Sequence, residues 1–243
     1  MNYIPFYCLL GFAVIVTLLF LIWRDPAKPA FNSLLKGISS FAFMALALVC
    51  AFMNEVLTLP VLFILIGLTA SIFGDLYLAG KDFKNEHEDG ALYAGFGSFC
   101  ITQLMYLLGL IFLYGFTWWS FLIGGLLTLG LLLSEKMLKL DFGKFRIIVA
   151  VYSILLMTVL GQGIMSLALN GYTLAGLLFM LGVIFFALSD LILSFIYFRK
   201  GTKDIVYTFN LLTYYIGQIL IASAIMFISV SYTHLTLPTK LEV

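Results

Sequence analysis

Residues 57–80 read LTLPVLFILIGLTASIFGDLYLAG, and this stretch decides the fold class. Asp75 is its only charged side chain. About 20 apolar residues suffice for an α-helix to cross the hydrocarbon core of a membrane. Because backbone groups in lipid must bond to one another, a long run without strand-like alternation predicts a helix. An ionisable side chain inside such a helix is costly and indicates a functional site.

A second apolar run carries the same arrangement of polar residues. Residues 173–198 contain Asp190, which lies 115 positions after Asp75. Each aspartate is followed 28 positions later by a glutamine, Gln103 in the first case and Gln218 in the second. Because rare polar residues coincide at one offset, we interpret the chain as an internal duplication.

The composition indicates an integral membrane protein without a soluble domain. Of 243 residues, 63% are hydrophobic and 10% are charged, whereas soluble domains carry about 25% charged residues. The net charge of +1 gives no support for nucleic acid as a partner. The three cysteines fall in apolar runs and show neither metal-ligand spacing nor a disulfide pattern. We therefore predict no metal site and no cofactor.

The hydropathy pattern predicts an all-α, polytopic membrane protein with eight transmembrane helices. The predicted spans cover residues 4–23, 38–53, 57–80, 91–114, 118–134, 145–169, 173–198 and 205–229. The second and fifth spans are the shortest.

The basic residues predict the orientation of these spans. Of the 13 Lys and Arg residues, all except Lys240 lie in or beside the odd-numbered connections between spans. By the positive-inside rule, the odd-numbered loops face the cytoplasm. We therefore predict a multi-pass protein of the cell (inner) membrane with both termini outside.

The duplication predicts one membrane domain, residues 1–229, with repeat halves of about 1–115 and 116–229. Each half has four spans, so the halves form a parallel 4+4 repeat about an axis along the membrane normal. Such an axis brings the third, fourth, seventh and eighth spans around a shared centre. The alternative is that the residues match by chance, because the chain is built from few, mostly apolar residue types. Residues 230–243 include VSYTHLTLPT, which resembles a translated sequencing adapter, and we expect them to be foreign to the native protein.

Polar side chains accompany the two aspartates in the predicted centre. The candidate neighbours are Ser71, Gln103, Tyr106, Asn210, Tyr214 and Gln218. The last three follow one another at intervals of four residues and therefore share one helix face. We expect a polar cavity that opens towards the cytoplasm.

Two carboxyl groups in a dry cavity can serve as a general acid and a general base, provided that one is protonated and the other ionised. A structural role is the alternative, in which both carboxyls hydrogen-bond to glutamine and tyrosine and hold helices together. A transporter's proton site would present the same residues.

Several motifs resemble those of the YhhN-like family, the lysoplasmalogenases, which are eight-span membrane proteins. The matching segments are Ser71-Ile-Phe-Gly74-Asp75, Gly95-Phe-Gly97-Ser-Phe99-Cys-Ile-Thr-Gln103-Leu-Met-Tyr106, Phe186-Ala-Leu-Ser189-Asp190, Tyr214-Tyr215-Ile-Gly-Gln218 and Lys28-Pro29. They occur in the family's order and extend the resemblance along the chain to about residue 228.

The resemblance implies hydrolysis of the vinyl ether bond of lysoplasmalogens, which releases a fatty aldehyde and a glycerophospho-headgroup. The substrate would be a lysophospholipid drawn from membrane lipid. We expect Asp190 to act as the acid and Asp75 as the base. The six polar neighbours would position water and the glycerol end of the substrate, and Lys28 would contact the headgroup.

Gln103 departs from the family pattern, which usually has histidine at this position. Glutamine cannot exchange protons, so a catalytic role of that histidine would leave this protein inactive or directed at another substrate. If the histidine only orients an aspartate or the substrate, glutamine can replace it. Two other functions therefore stay open, a small-molecule or lipid transporter or binding protein with a carboxylate-lined site, and a catalytically inactive relative.

Overall fold

A computed structural model describes residues 3–80, 88–199 and 201–229, and within these ranges the chain forms eight α-helices and no strand. The helices are α1 (Ile4–Trp23), α2 (Pro29–Met53), α3 (Leu59–Gly80), α4 (Glu88–Tyr114), α5 (Trp118–Leu133), α6 (Arg146–Asn170), α7 (Leu174–Phe198) and α8 (Asp204–Ala224). Short 3-10 turns precede α6 and follow α8. The proposed foreign segment, residues 230–243, lies outside the described residues.

Seven of the eight helices are long and apolar enough to cross a membrane, which identifies a multi-pass membrane protein. The remaining helix, α5, has 16 residues. At 1.5 Å per residue it is about 24 Å long, shorter than a hydrocarbon core of about 30 Å.

The second helix is longer than the sequence predicts, and its predicted start at residue 38 is wrong. Helix α2 has 25 residues and begins at Pro29, where proline suits the first turn because its missing N–H needs no partner there. The prediction excluded the first turns because Lys36 interrupts the apolar run. In the structure the Lys36 side chain is buried and pairs with Asp75 on α3.

The described connections that carry basic residues lie together at one end of the bundle, which we call the basic end. Arg24 after α1 binds Asp204 at the start of α8. Lys144 before α6 pairs with Asp89 at the start of α4. The backbone N–H of Asp141 donates to the carbonyl of Phe198 at the end of α7. Helices of opposite direction therefore alternate along the chain, whereas the cytoplasmic location of this end stays a prediction.

The two halves of the bundle pack their helices in the same pattern. Consecutive helices pack in each half, from α1 to α4 and again from α5 to α8. The halves meet through α2 against α8 and through the corresponding pair, α6 against α4. Helix α1 also packs on α8, whereas α5 has no comparable contact with α4. Most of α8 is buried, so it occupies the middle of the bundle.

Two helix crossings match at the 115-residue offset. A Cβ built on Gly67 would lie 2.6 Å from the Tyr106 ring, so α3 approaches α4 closely at this point. A Cβ on Gly182 would lie 2.6 Å from Ile221, which brings α7 equally close to α8. Both members of the second pair lie 115 positions after those of the first. The internal repeat stays a prediction, and these two crossings support it.

Candidate active site

The two aspartates line one small cavity between α2, α3, α4, α7 and α8. Its volume is about 20 Å³, which is room for about one water molecule. Asp75 and Asp190 contribute from α3 and α7, and Lys36 contributes from α2. We call this space the dyad cavity. The geometry agrees with the expectation that the two carboxyls face a common space.

Asp75 lies in a dense set of hydrogen-bond donors. Its Oδ2 atom accepts hydrogen bonds from the hydroxyls of Ser40, at 2.6 Å, and Tyr214, at 2.8 Å. The ammonium group of Lys36 lies 3.2 Å from Oδ1. The carboxyl is 2% exposed, so it has lost almost all contact with water. A buried charge is stable only when it is paired and hydrogen-bonded, and this surrounding favours an ionised Asp75 with Lys36 as its counter-charge.

A chain of hydrogen bonds extends from Asp75 towards the end of the bundle opposite the basic end. The Tyr106 hydroxyl donates to Oε1 of Gln218 at 2.7 Å, and Nε2 of Gln218 donates to the Tyr214 hydroxyl at 3.2 Å. The Tyr214 hydroxyl in turn donates to Asp75. Three of the predicted polar neighbours therefore act as one network that orients the Asp75 carboxylate.

Asp190 has a different environment from Asp75. The Tyr152 hydroxyl of α6 donates to its Oδ2 atom. Beyond the dyad cavity, Asp190 also lines a second cavity of about 50 Å³ with mostly hydrocarbon walls, which include Leu156, Met157 and Ala187. We call this space the apolar cavity. No cation pairs with Asp190 among the described residues, so the absence of a counter-charge favours its neutral, protonated form.

Asn210 borders the dyad cavity, but its amide joins two helices. Its Nδ2 atom donates to the backbone carbonyl of Ser189 at 2.8 Å and to the Ser189 hydroxyl at 2.9 Å. The Ser189 hydroxyl donates back to the carbonyl of Asn210 at 3.1 Å. Because Asp190 directly follows Ser189, this lock between α7 and α8 fixes the position of the Asp190 backbone.

Gln103 is buried without a hydrogen bond of normal geometry at either amide atom. It is 1% exposed. Its amide does interact with the Tyr152 hydroxyl, at a geometry short of a normal hydrogen bond. The matching glutamine of the second half, Gln218, has both amide atoms bonded. The two glutamines are therefore equivalent in sequence position and unlike in their contacts.

Five predicted site residues do not line the dyad cavity, namely Gln103, Tyr106, Gln218, Ser71 and Lys28. Ser71 and Lys28 make their polar contacts away from the two aspartates. The Ser71 hydroxyl donates to the carbonyl of Leu68 within its own helix, at 2.7 Å. Lys28 precedes α2 with a side chain 68% exposed, and its ammonium lies 3.3 Å from Asp25. The Ala27 amide and Lys28 hold the pKa of Asp25 below its usual range, so this turn forms a small closed network of its own.

The sequence prediction missed Lys36, Ser40 and Tyr152. Lys36 and Ser40 lie one helical turn apart on α2 and both contact Asp75. Two polar residues four positions apart share one face of a helix. This spacing could have predicted that α2 turns a polar face towards a partner in the bundle. No motif in the sequence marks Tyr152, and only the fold brings it to Asp190.

No group of three or more His, Cys, Asp or Glu side chains in the described part of the chain could hold a metal ion. The dyad cavity and its surroundings present two carboxyl groups, one ammonium group and several hydroxyls. Such a set can donate a proton, accept a proton and hold a water molecule between the two.

Comparison with known families matches the YhhN family over residues 31–225. The chain belongs to the YhhN family. The matched region begins in the first turn of α2 and ends just after α8, so it includes every residue of the dyad cavity. Comparisons with curated proteins and with solved structures returned no match.

Proposed function

We propose that this protein is a membrane hydrolase that cleaves the vinyl ether bond of lysoplasmalogens. The observation that carries the proposal is the pair of unlike carboxyls on one cavity. Asp75 has a counter-charge, and Asp190 opens to a hydrocarbon-lined space. Membership of the YhhN family is consistent with this reaction.

The reaction needs an acid that protonates the vinyl ether and a base that accepts a proton from the attacking water. A vinyl ether is protonated at carbon, which leaves an oxocarbenium ion that water then attacks. The neutral Asp190 donates that proton to the alkenyl carbon furthest from the ether oxygen. The ionised Asp75 stabilises the cation and accepts a proton from the attacking water. The resulting hemiacetal breaks into a fatty aldehyde and the free hydroxyl of the glycerophospho-headgroup, so one water is consumed.

The surrounding groups support these roles. The hydroxyls of Ser40 and Tyr214 hold the Asp75 carboxylate in one orientation. Because the dyad cavity has room for about one water molecule, it suits the attacking water once the substrate excludes the rest. The positive charges at the basic end support the proposal that this end faces the cytoplasm.

The test is aldehyde release from lysoplasmalogen by the full chain in lipid nanodiscs. We expect Asp190→Asn and Asp75→Asn each to lower the rate by about 10²–10⁴-fold, which is the usual contribution of a general acid or base. Asp141→Asn is the matched control. Its carboxylate is exposed and accepts from the Gly143 amide, a bond that asparagine can keep. Full activity in both dyad variants would overturn the proposal.

The matching helix packing of the two halves favours one second candidate, a proton-coupled transporter. Its signature would be pH-driven uptake of a solute into proteoliposomes that depends on Asp75 and Asp190. Uptake without any aldehyde release would replace the hydrolase by this candidate. A wild-type protein that shows neither activity, while it still binds lysophospholipid, would indicate an inactive relative.

A further inference from the structure

Two cavities flank the dyad cavity, one in each half of the bundle. The first is the apolar cavity, which lies among α4, α5, α6 and α7. The second has a volume of about 160 Å³ and lies among α1, α2, α3 and α8, near the basic end. We call it the basic cavity, because Arg24 and Lys36 are among its walls.

The two flanking cavities occupy corresponding places in the two halves. Ala79 lines the basic cavity and Ser194, 115 positions later, lines the apolar cavity. Leu211 lines the basic cavity and Phe96, 115 positions earlier, lines the apolar cavity. Each cavity also lies between helices that correspond at the same offset. The two flanking cavities therefore hold corresponding positions in the two predicted repeat halves, one on each side of the dyad cavity. We call them the two chambers.

Each chamber shares walls with the dyad cavity. Lys36, Tyr207 and Leu211 line both the basic cavity and the dyad cavity. Asp190 and Tyr197 line both the apolar cavity and the dyad cavity. The three spaces therefore follow one another, with the two carboxyls at the middle.

The two chambers differ in the polarity of their walls. The walls of the apolar cavity are almost entirely hydrocarbon, apart from Asp190 and a few hydroxyls. In the basic cavity, the Arg24 guanidinium lies 4.4 Å from the centre of the Tyr207 ring and binds both oxygens of Asp204. Two of its five N–H donors serve Asp204, so others are left for a ligand. The planar guanidinium fits the oxygens of a phosphate.

We propose that the two chambers bind the opposite ends of one amphiphile, with its phosphate in the basic cavity and its single hydrocarbon chain in the apolar cavity. This inference rests on the proposed function and assigns the orientation of the substrate. The bond between the two ends then lies at Asp75 and Asp190. The apolar cavity adjoins the dyad cavity and offers its hydrocarbon walls to a single chain, which suits the one-chain phospholipid of the proposed function.

The inference moves the headgroup contact from Lys28 to Arg24. Lys28 is exposed and paired with Asp25, whereas Arg24 forms part of a cavity wall that continues to the dyad. Asp204 competes with the phosphate for Arg24. Its carboxylate is 61% exposed and can turn towards water when a phosphate arrives.

The headgroup end is tested by binding, with ligands that cannot be hydrolysed. The probes are a hexadecyl ether lysophosphatidylcholine and hexadecylglycerol, which lacks the phosphate, each titrated against the full chain in nanodiscs. We expect Arg24→Gln to lower the affinity for the phosphate-bearing ether by about tenfold or more, because a charge-assisted pair is lost. The affinity for hexadecylglycerol should stay unchanged. Asp204→Asn removes the competing carboxylate and should raise the affinity for the phosphate-bearing ether.

Lys28→Gln is the matched control, because it removes one positive charge from the same connection. We expect Lys28→Gln to bind both probes with the affinity of the wild-type protein. An equal loss in Lys28→Gln and Arg24→Gln would mean general surface attraction and would overturn the phosphate site. Equal affinity of the wild-type protein for the two probes would do the same.

The chain end is tested with a series of alkyl ether lysophospholipids of increasing chain length. Ala187→Leu adds volume inside the apolar cavity, and we expect the best-bound chain to become shorter by several carbons. Met157→Ala removes volume from the same wall, and we expect the best-bound chain to become longer. Leu188→Phe enlarges a side chain on the exposed face of α7 and serves as the control. An unchanged length preference in both cavity variants overturns the assignment, and Met157→Ala alone decides if Ala187→Leu fails to fold.

These measurements are independent of hydrolysis. If the binding pattern holds and no aldehyde is released, the hydrolase proposal fails and the orientation stands. If aldehyde is released while Arg24→Gln and the cavity variants bind like the wild-type protein, the orientation fails and the hydrolase stands.

Discussion

The two halves of this molecule place an aspartate at the same point of the same helix pair and then surround it differently. The first-half carboxyl has the Lys36 ammonium and two hydroxyl donors within 3.2 Å. The second-half carboxyl has the Tyr152 hydroxyl and a hydrocarbon-lined cavity. The two carboxyls are identical groups, yet the neighbouring helices make one suited to carry charge and the other suited to carry a proton. The unlike partners are Lys36 and Ser40 on α2, Tyr152 on α6, and Tyr214 on α8, whose position on α4 is taken by Phe99.

The largest expected effect comes from removing the counter-charge of Asp75. Lys36→Met leaves an uncompensated buried charge, and breaking a buried pair in this way costs about 3–5 kcal/mol of folding free energy. Lys36→Met combined with Asp75→Asn should recover most of that stability, because the asparagine is neutral and still accepts from Ser40 and Tyr214. The free energy of unfolding is measured by denaturant titration in mixed micelles.

Lys28→Met is the control for this comparison, because the Lys28–Asp25 pair is exposed and exposed pairs contribute little to stability. A Lys36→Met variant as stable as Lys28→Met would mean that Asp75 is protonated. The contrast between the two carboxyls would then disappear.

A smaller effect should distinguish the two matching helix crossings. A Cβ at Gly182 would lie 2.8 Å from the backbone carbonyl of Gly217, which cannot move without shifting α8. A Cβ at Gly67 would first meet the Tyr106 ring, with the carbonyl of Thr102 further away at 3.2 Å. We expect Gly182→Ala to cost about 1–3 kcal/mol, and Gly67→Ala to cost less.

Gly97→Ala is the control for the crossings, since no atom lies within 4 Å of a Cβ at that position. Alanine there should be neutral or should stabilise α4 by up to about 1 kcal/mol. Equal costs at Gly67 and Gly182 would show that both crossings are equally rigid. A larger cost at Gly67 would contradict the reasoning from backbone contact.

Much of the architecture could be predicted because lipid leaves the chain few options. Long apolar runs had to be helices, and the paired aspartates stood out because charged residues are rare in such runs. Helices α1, α3, α6 and α7 lie within a few residues of their predicted limits. The same reasoning failed at the start of α2, since it treated a lysine as the mark of a loop.

The finer parts of the site depend on contacts between distant residues. Ser71 and Tyr106 both lie one turn from a predicted site residue, yet the Ser71 hydroxyl bonds to its own helix and the Tyr106 hydroxyl reaches Gln218 across the bundle. Helical spacing fixes the face of a side chain and leaves its partner undetermined. Tyr152 was missed for the same reason, because α6 carries no motif that indicates its contact with Asp190.

The smallest expected effects concern the two glutamines, and they should have opposite signs. Gln218 bonds through both amide atoms, so Gln218→Leu leaves the buried hydroxyls of Tyr106 and Tyr214 short of a partner and costs about 1–2 kcal/mol. Gln103 bonds through neither atom, so Gln103→Leu removes an unsatisfied buried amide and is neutral or stabilising by about 1 kcal/mol. Gln103→His introduces the residue expected from the family resemblance and tests what this position does in the reaction. Faster aldehyde release from Gln103→His than from Gln103→Leu, at similar stability, would show that this position still acts on Asp190 through Tyr152. Equal rates in the two variants would reduce Gln103 to a space-filling residue and leave Gln218 as the one glutamine that serves the dyad.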